Sequence, residues 1–94
     1  MQKPIRRQED FVSKFYIRLK VKDSPGVLAT ISKILGDHGV SIASLVQEKG
    51  NHEDAALIMV THRVKEGEFL KAKEELMNSN VVYGIENIIR VEDD

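Results

Sequence analysis

The feature that most constrains this fold is a change of period at a single turn. From Phe15 to Lys22 the side chains alternate, with Phe15, Ile17, Leu19 and Val21 on one face and Tyr16, Arg18, Lys20 and Lys22 on the other. Alternation at period two describes a strand buried on one face. It stops at Asp23-Ser24-Pro25-Gly26, after which Val27, Leu28, Ile31, Ile34 and Leu35 recur at helical spacing. Asp or Ser suits the cap of such a helix and Pro its first turn, while Gly39 after His38 can take the left-handed conformation that ends it. The chain therefore begins with a strand, a tight turn and an amphipathic helix.

The same order then recurs. Val40 to Gln47, rich in β-branched and small residues, predicts a second strand closed by a turn at Glu48-Lys49-Gly50-Asn51. Asp54 to His62 predicts a third, with Ala55, Leu57, Met59 and Thr61 opposing Ala56, Ile58 and Val60, as in a strand with cover on both sides. Lys65 to Met77 returns to helical period through Phe69, Ala72, Leu76 and Met77; Gly67 weakens its first turn and Asn78-Ser79-Asn80 ends it. Gly84 and Asn87 interrupt the apolar run from Val81 to Val91, which predicts a short approach and a last strand over 85–91.

Two strand-helix-strand units joined by a hairpin specify a ferredoxin-like βαββαβ sandwich of the α+β class: four antiparallel strands with both helices on one face. In that topology the second strand is an edge. Its apolar residues Val40, Ile42, Ala43, Leu45 and Val46 stand without a guarding lysine or proline, which predicts antiparallel pairing with a second copy across a two-fold axis.

Composition limits the function. At 94 residues the chain is one small domain, too short to add a dinucleotide-binding unit. A net charge of −1 gives no electrostatic reason to expect nucleic acid or an anionic membrane as partner. Without cysteine there is no disulfide, thiolate metal site or cysteine nucleophile, which fits a reducing compartment, so the cytoplasm is expected. Residues 1–13 carry Pro4, Arg6 and Arg7 but lack the apolar stretch of a secretory signal, and read as a tail or linker; 14–92 is the expected domain and 93–94 a tail.

The most informative segment chemically is the first turn. A glycine at a helix N-terminus leaves backbone N–H groups uncovered, where the helix dipole favours a small anion such as a carboxylate. Gly26 has that position. Spacing alone is equally met by a turn in which Asp23 and Ser24 only cap the helix and Gly26 only relieves crowding.

The run Phe15-Tyr16-Ile17-Arg18-Leu19-Lys20-Val21-Lys22-Asp23-Ser24-Pro25-Gly26-Val27-Leu28 resembles the opening of an ACT domain, a regulatory module attached to enzymes of amino-acid metabolism. The likeness continues through Ile31 to Leu35 and His38-Gly39-Val40-Ser41-Ile42-Ala43-Ser44. With Gln47, Val60-Thr61-His62 and Ile88-Ile89-Arg90-Val91-Glu92, it is similar to the C-terminal ACT domain of monofunctional homoserine dehydrogenases. The resemblance implies allosteric regulation by a free amino acid bound at a dimer interface, with the end-product threonine as the expected effector. It places the effector carboxylate on the Pro25-Gly26-Val27-Leu28 segment, chiefly the amides of Gly26, Val27 and Leu28, since proline has none to donate. Asp23 is implied for the ammonium group. Ser41, Ile42, Ala43 and Ser44 of the facing edge strand are implied for the side chain, with Gln47 as a further polar contact. No catalytic residue or cofactor is expected here; NAD(P) belongs to a catalytic part that this chain lacks.

Other constellations point elsewhere less well. His38, His52 and His62 fall at a helix end, a turn and a strand end, without the close spacing of metal ligands. Tyr16, Arg18 and Lys20 form a row that an RNA-binding sheet could use, but the third strand offers no aromatic to stack a base. A phosphatase of this topology needs an arginine in the first loop, where Asp23 stands instead. The acid pairs Glu74-Glu75 and Asp93-Asp94 read as solubility charges. The competing expectation is a dimerisation domain that holds catalytic subunits together and binds no ligand.

Overall fold

The computed structural model describes residues 11–50 and 52–91. The elements are β1 (Val12–Lys22), α1 (Val27–Asp37), β2 (Ile42–Lys49), β3 (Asp54–Thr61), β4 (Val64–Lys65), α2 (Glu66–Met77) and β5 (Val82–Val91). The expected N-terminal tail up to residue 10, Asn51 of the turn, Glu92 and the Asp93-Asp94 pair lie outside the described residues. Among the described residues no helix is long and apolar enough to cross a membrane.

The sheet runs β2-β3-β1-β5, all antiparallel, with the two residues of β4 paired to Val12 and Ser13 at the start of β1. This is the ferredoxin-like order, and β2 is an edge as expected. Strands β3 and β1 are interior, and the alternation of β1 puts Phe15, Ile17, Leu19 and Val21 all in the buried face. They pack with Ala55, Leu57 and Met59 of β3 and with Ile31, Ile34, Leu35, Phe69, Ala72 and Leu76 of the two helices in one core. Each large side chain buried there contributes about 1.5–3 kcal/mol. The Phe15 and Phe69 rings stack at 3.8 Å between centroids, joining β1 to α2.

Several boundaries differ from the sequence reading, each for a local reason. Strand β1 begins at Val12, because Ser13 and Val12 gain a partner in β4 that periodicity does not reveal. Val40 is buried but lies outside β2. Its N–H is taken by the Leu35 carbonyl at 2.8 Å while that of Gly39 reaches Gly36 at 3.0 Å, the paired bonds of a Schellman motif that closes α1. Ala43 is an extra residue between the pairs Ile42–Thr61 and Ser44–Val60, and beyond it β2 continues to Lys49, so the edge is displaced two residues along the chain and ends in Glu48 and Lys49. Strand β5 runs from Val82, absorbing Gly84 and the region of Asn87 through two register shifts against β1. Leu28 and Met77 were expected on the apolar helix faces; they are 39% and 62% exposed, since Val27–Ile31–Ile34–Leu35 and Phe69–Ala72–Leu76 already complete the buried stripes.

Candidate functional site

The turn after β1 is set by two residues. Pro25 fixes its own φ, and Gly26 follows at φ +86 and ψ −12, with the Val27 N–H directed to the Ser24 carbonyl at 3.4 Å. Proline then left-handed glycine is the signature of a type II turn. A Cβ at Gly26 would meet nothing within 4 Å. Its requirement is therefore conformational, and the reading in which it relieves crowding does not hold. Nor does the capping role of Asp23 or Ser24: Gly26 itself occupies the N-cap and no side chain bonds the helix start. The turn leaves both residues upstream of the amides they would have to reach.

The first turn of α1 is consequently open. Thr30 sends both its N–H (3.0 Å) and its hydroxyl (3.1 Å) to the Gly26 carbonyl. Among the described residues no acceptor takes the N–H groups of Gly26, Leu28 or Ala29, the unsatisfied donors of a helix start. Ala29 was not among the residues singled out from sequence, whereas Val27, which was, is partly committed to Ser24. Counting positions from the cap, rather than reading the motif alone, would have found it.

Of these residues Gly26 and Leu28 border a cavity of about 220 Å³. Asp23, Pro25, Gly26, Val27, Leu28 and Gln47 line it, over an apolar floor that includes Val21 and Leu57. The structure thus brings six of the ten sequence-predicted residues together from three elements. Ser41, Ile42, Ala43 and Ser44 are not among the cavity-lining residues of the same chain. Gln47 pairs with Leu57 beside the turn while Ile42 pairs with Thr61 at the other end of β2, five residues or about 17 Å away.

The turn is anchored from behind. The Lys22 N–H donates to Val81 at 2.9 Å and that of Asp23 to the Glu53 carbonyl at 3.0 Å, tying it to the β2–β3 connection. There Asp54 accepts the His52 N–H at 3.2 Å and lies 3.2 Å from Lys20 Nζ. The backbone bond from His52 foremost, then Lys20, holds the Asp54 carboxyl below its ordinary pKa.

The histidines are dispersed. His38 Nε2 lies 3.0 Å from Glu75 Oε1 and Nδ1 3.9 Å from Glu68 Oε2, linking the end of α1 to α2. Glu75, read from sequence as a solubility charge, thus has a specific partner. The His62 N–H bonds the Ser41 carbonyl at 2.8 Å.

A βαββαβ sandwich with an open backbone cradle in its first βα turn, beside an unpaired edge strand, is of the class of small regulatory modules. Residues 15–79 match the ACT domain family, and the chain belongs to it. It is 41% identical to a homoserine dehydrogenase from Synechocystis over 88% of this chain and 19% of the relative. A solved homoserine dehydrogenase from Thiobacillus denitrificans superposes with a TM-score of 0.86 at 33% identity, covering 99% of this chain and 20% of that one. The ACT domain of a GTP pyrophosphokinase from Chlorobium tepidum shares the fold alone, at a TM-score of 0.63 and 12% identity over 86% of this chain and all of that one. The chain spans about a fifth of the length of the homoserine dehydrogenases it matches. It is an ACT regulatory domain resembling theirs.

Proposed function

We propose that this chain is the effector-sensing part of a homoserine dehydrogenase, binding a small free amino acid, L-threonine foremost, in the cavity beside Gly26. The observation that carries this reading is the convergence of three chemistries on one 220 Å³ space: open amides at Gly26 and Leu28 for a carboxylate, Asp23 for an ammonium group, and Gln47 for a polar side chain. Charge-assisted bonds to backbone amides and the helix dipole both favour the carboxylate end.

The second half of the pocket comes from a partner. If two β2 strands pair antiparallel across a two-fold axis, the start of one lies beside the end of the other. Ser41, Ile42, Ala43 and Ser44, remote from the cavity in their own chain, then face the Gln47 end of the second copy. This accounts for all ten predicted residues with one symmetry operation, and it couples binding to assembly: an effector that prefers one dimer arrangement shifts the population toward it. The dehydrogenase activity and its NAD(P) site belong to the part of the enzyme this chain lacks.

The test is a panel of amino acids followed by thermal unfolding and calorimetry on the 94-residue chain. A ligand at one hundred times its dissociation constant stabilises the fold by about 2.7 kcal/mol. Threonine is expected to give the largest shift. No shift with any member of the panel would leave a ligand-free dimerisation domain.

A further inference from the structure

The cavity beside Gly26 has a closed floor. Leu57 of β3 and Val21 of β1 line it, yet each is only 1% exposed, so the space stops at the surface of the core. The ladder sets Gln47, Leu57 and Leu19 in one row across β2, β3 and β1. Residues paired across an antiparallel ladder share a face. Leu57 and Leu19 belong with Ile31 and Leu35 of α1 to the core, so Gln47 also lies on the helix side of the sheet. The row passes from an exposed polar residue at the edge to a fully buried one inside, and Leu57 is the first apolar side chain behind the rim.

The charged groups of an amino acid fix which end of the cavity its side chain must use. With the carboxylate on the amides of Gly26 and Leu28 and the ammonium group at Asp23, the turn end is taken, and the side chain is left with the end between Gln47 and Leu57. A space of about 220 Å³ is below the roughly 300–1,000 Å³ of sites for drug-sized ligands, so the position of its floor decides how long that side chain can be. Resting on the effector reading of this cavity, we propose that Leu57 is its specificity-determining residue: the isobutyl group closes the floor and limits the effector to an α-amino acid whose side chain ends at the γ position. Threonine and valine fit that limit. Leucine and phenylalanine extend past it and press on Leu57, which can give way only by displacing Leu19 and the α1 side chains packed in the same core. A close-packed interior has no free volume to absorb such a shift.

Shortening Leu57 tests this, because space opened at that position is continuous with the cavity and accessible to a ligand. Calorimetric titration of the 94-residue chain with threonine, valine, leucine and phenylalanine is compared with that of Leu57→Val and Leu57→Ala, with circular dichroism to confirm folding. One methylene in an apolar pocket changes affinity by about tenfold or more. The wild type is expected to bind threonine at least about tenfold more tightly than leucine, and that ratio to fall by about tenfold in Leu57→Val and further in Leu57→Ala. Leu57→Val removes a single methylene and keeps a strand-favouring residue, so the comparison stands even if the alanine variant fails to fold. A wild type that takes leucine as tightly as threonine, or folded variants that keep the wild-type ratio or lose binding altogether, overturns the role of Leu57 and leaves the effector site in place. A wild type that binds none of the four amino acids overturns the effector reading itself, and the role of Leu57 with it.

Discussion

Glu66 is 4% exposed and its carboxylate is held at both oxygens: Arg90 Nη2 reaches Oε1 at 2.7 Å and Ser13 Oγ donates to Oε2 at 2.6 Å. The Glu66 N–H also donates to the Phe11 carbonyl at 2.8 Å. One buried side chain therefore ties the start of β1, the first turn of α2 and the end of β5. Its place at a helix N-terminus favours the negative charge.

Because Glu66 is buried while Arg90 is half exposed, the two are not equivalent in a mutational cycle. Arg90→Met leaves a buried carboxylate with one donor fewer and is expected to cost about 1–3 kcal/mol. Glu66→Gln keeps the shape and most of the hydrogen bonding and is expected to cost less. The double variant should recover part of the Arg90→Met loss, which urea unfolding of all four proteins measures.

Thr61 is fully buried, and its hydroxyl accepts the Phe15 N–H at 3.0 Å where the β1–β3 ladder has ended. Thr61→Val retains the branched shape and removes the acceptor, so the cost is that of an orphaned buried amide, about 1–3 kcal/mol. Thr61→Ser keeps the acceptor and loses only a methyl group, about 1 kcal/mol. A reversed order in chemical denaturation would mean that packing, not the hydrogen bond, decides the residue.

How far the sequence carried depended on whether a property was periodic or relational. The alternation from Phe15 to Val21 and the helical stripes place the core correctly because burial on one face leaves its own imprint every second, third or fourth residue. Thr61 belongs to the alternating set, so it reads as one more inward residue; that it replaces a missing ladder bond depends on where β3 stops relative to β1. Val40 fails for a related reason. It is apolar and β-branched like a strand residue, but the helix termination claims its N–H first. Glu66 gives no signal beyond an acid at a helix start, because Ser13 and Arg90, which hold its carboxylate, are more than twenty residues away in sequence. At the site, residues contiguous in the motif were legible, and Gln47 was found through its likeness to a family. The uncommitted amide of Ala29 and the separation of Ser41–Ser44 from the cavity depend on turn type and strand direction, which no residue identity states.

Gly26 tests the turn directly. Its φ of +86 is unfavourable for side-chain-bearing residues, yet a Cβ there meets no atom within 4 Å, so the cost of substitution is backbone strain alone. Gly26→Ala is expected to lose about 1–2 kcal/mol. Gly26→Asn, which tolerates the left-handed region, should lose less, and β-branched Gly26→Val the most. If all three lose the same amount, strain is not the cause. Effector affinity measured on Gly26→Asn, the least perturbed fold, separates the turn's role in binding from its role in stability.

Asp54 predicts the acid limb. Its carboxyl is held below the ordinary value by the His52 N–H and by Lys20, so the folded state binds this proton less readily than the unfolded chain does. By linkage, the associated stability is fully present above the unfolded pKa of about 4 and is lost as pH falls through the lower folded value. Asp54→Asn cannot ionise and forfeits that contribution at neutral pH. The variant should therefore be less stable than wild type at pH 7, with the difference narrowing as pH falls below about 4. Thermal melts from pH 7 to pH 3 measure the gap. A difference constant across that range would assign the loss to the shape of the β2–β3 connection and not to the charge. Because the adjacent Glu53 carbonyl holds the Asp23 N–H at 3.0 Å, loosening this connection should also reach the turn at Gly26, where the proposed effector binds. The same variant is expected to bind the effector more weakly at pH 7, and unaltered affinity would confine the role of Asp54 to folding.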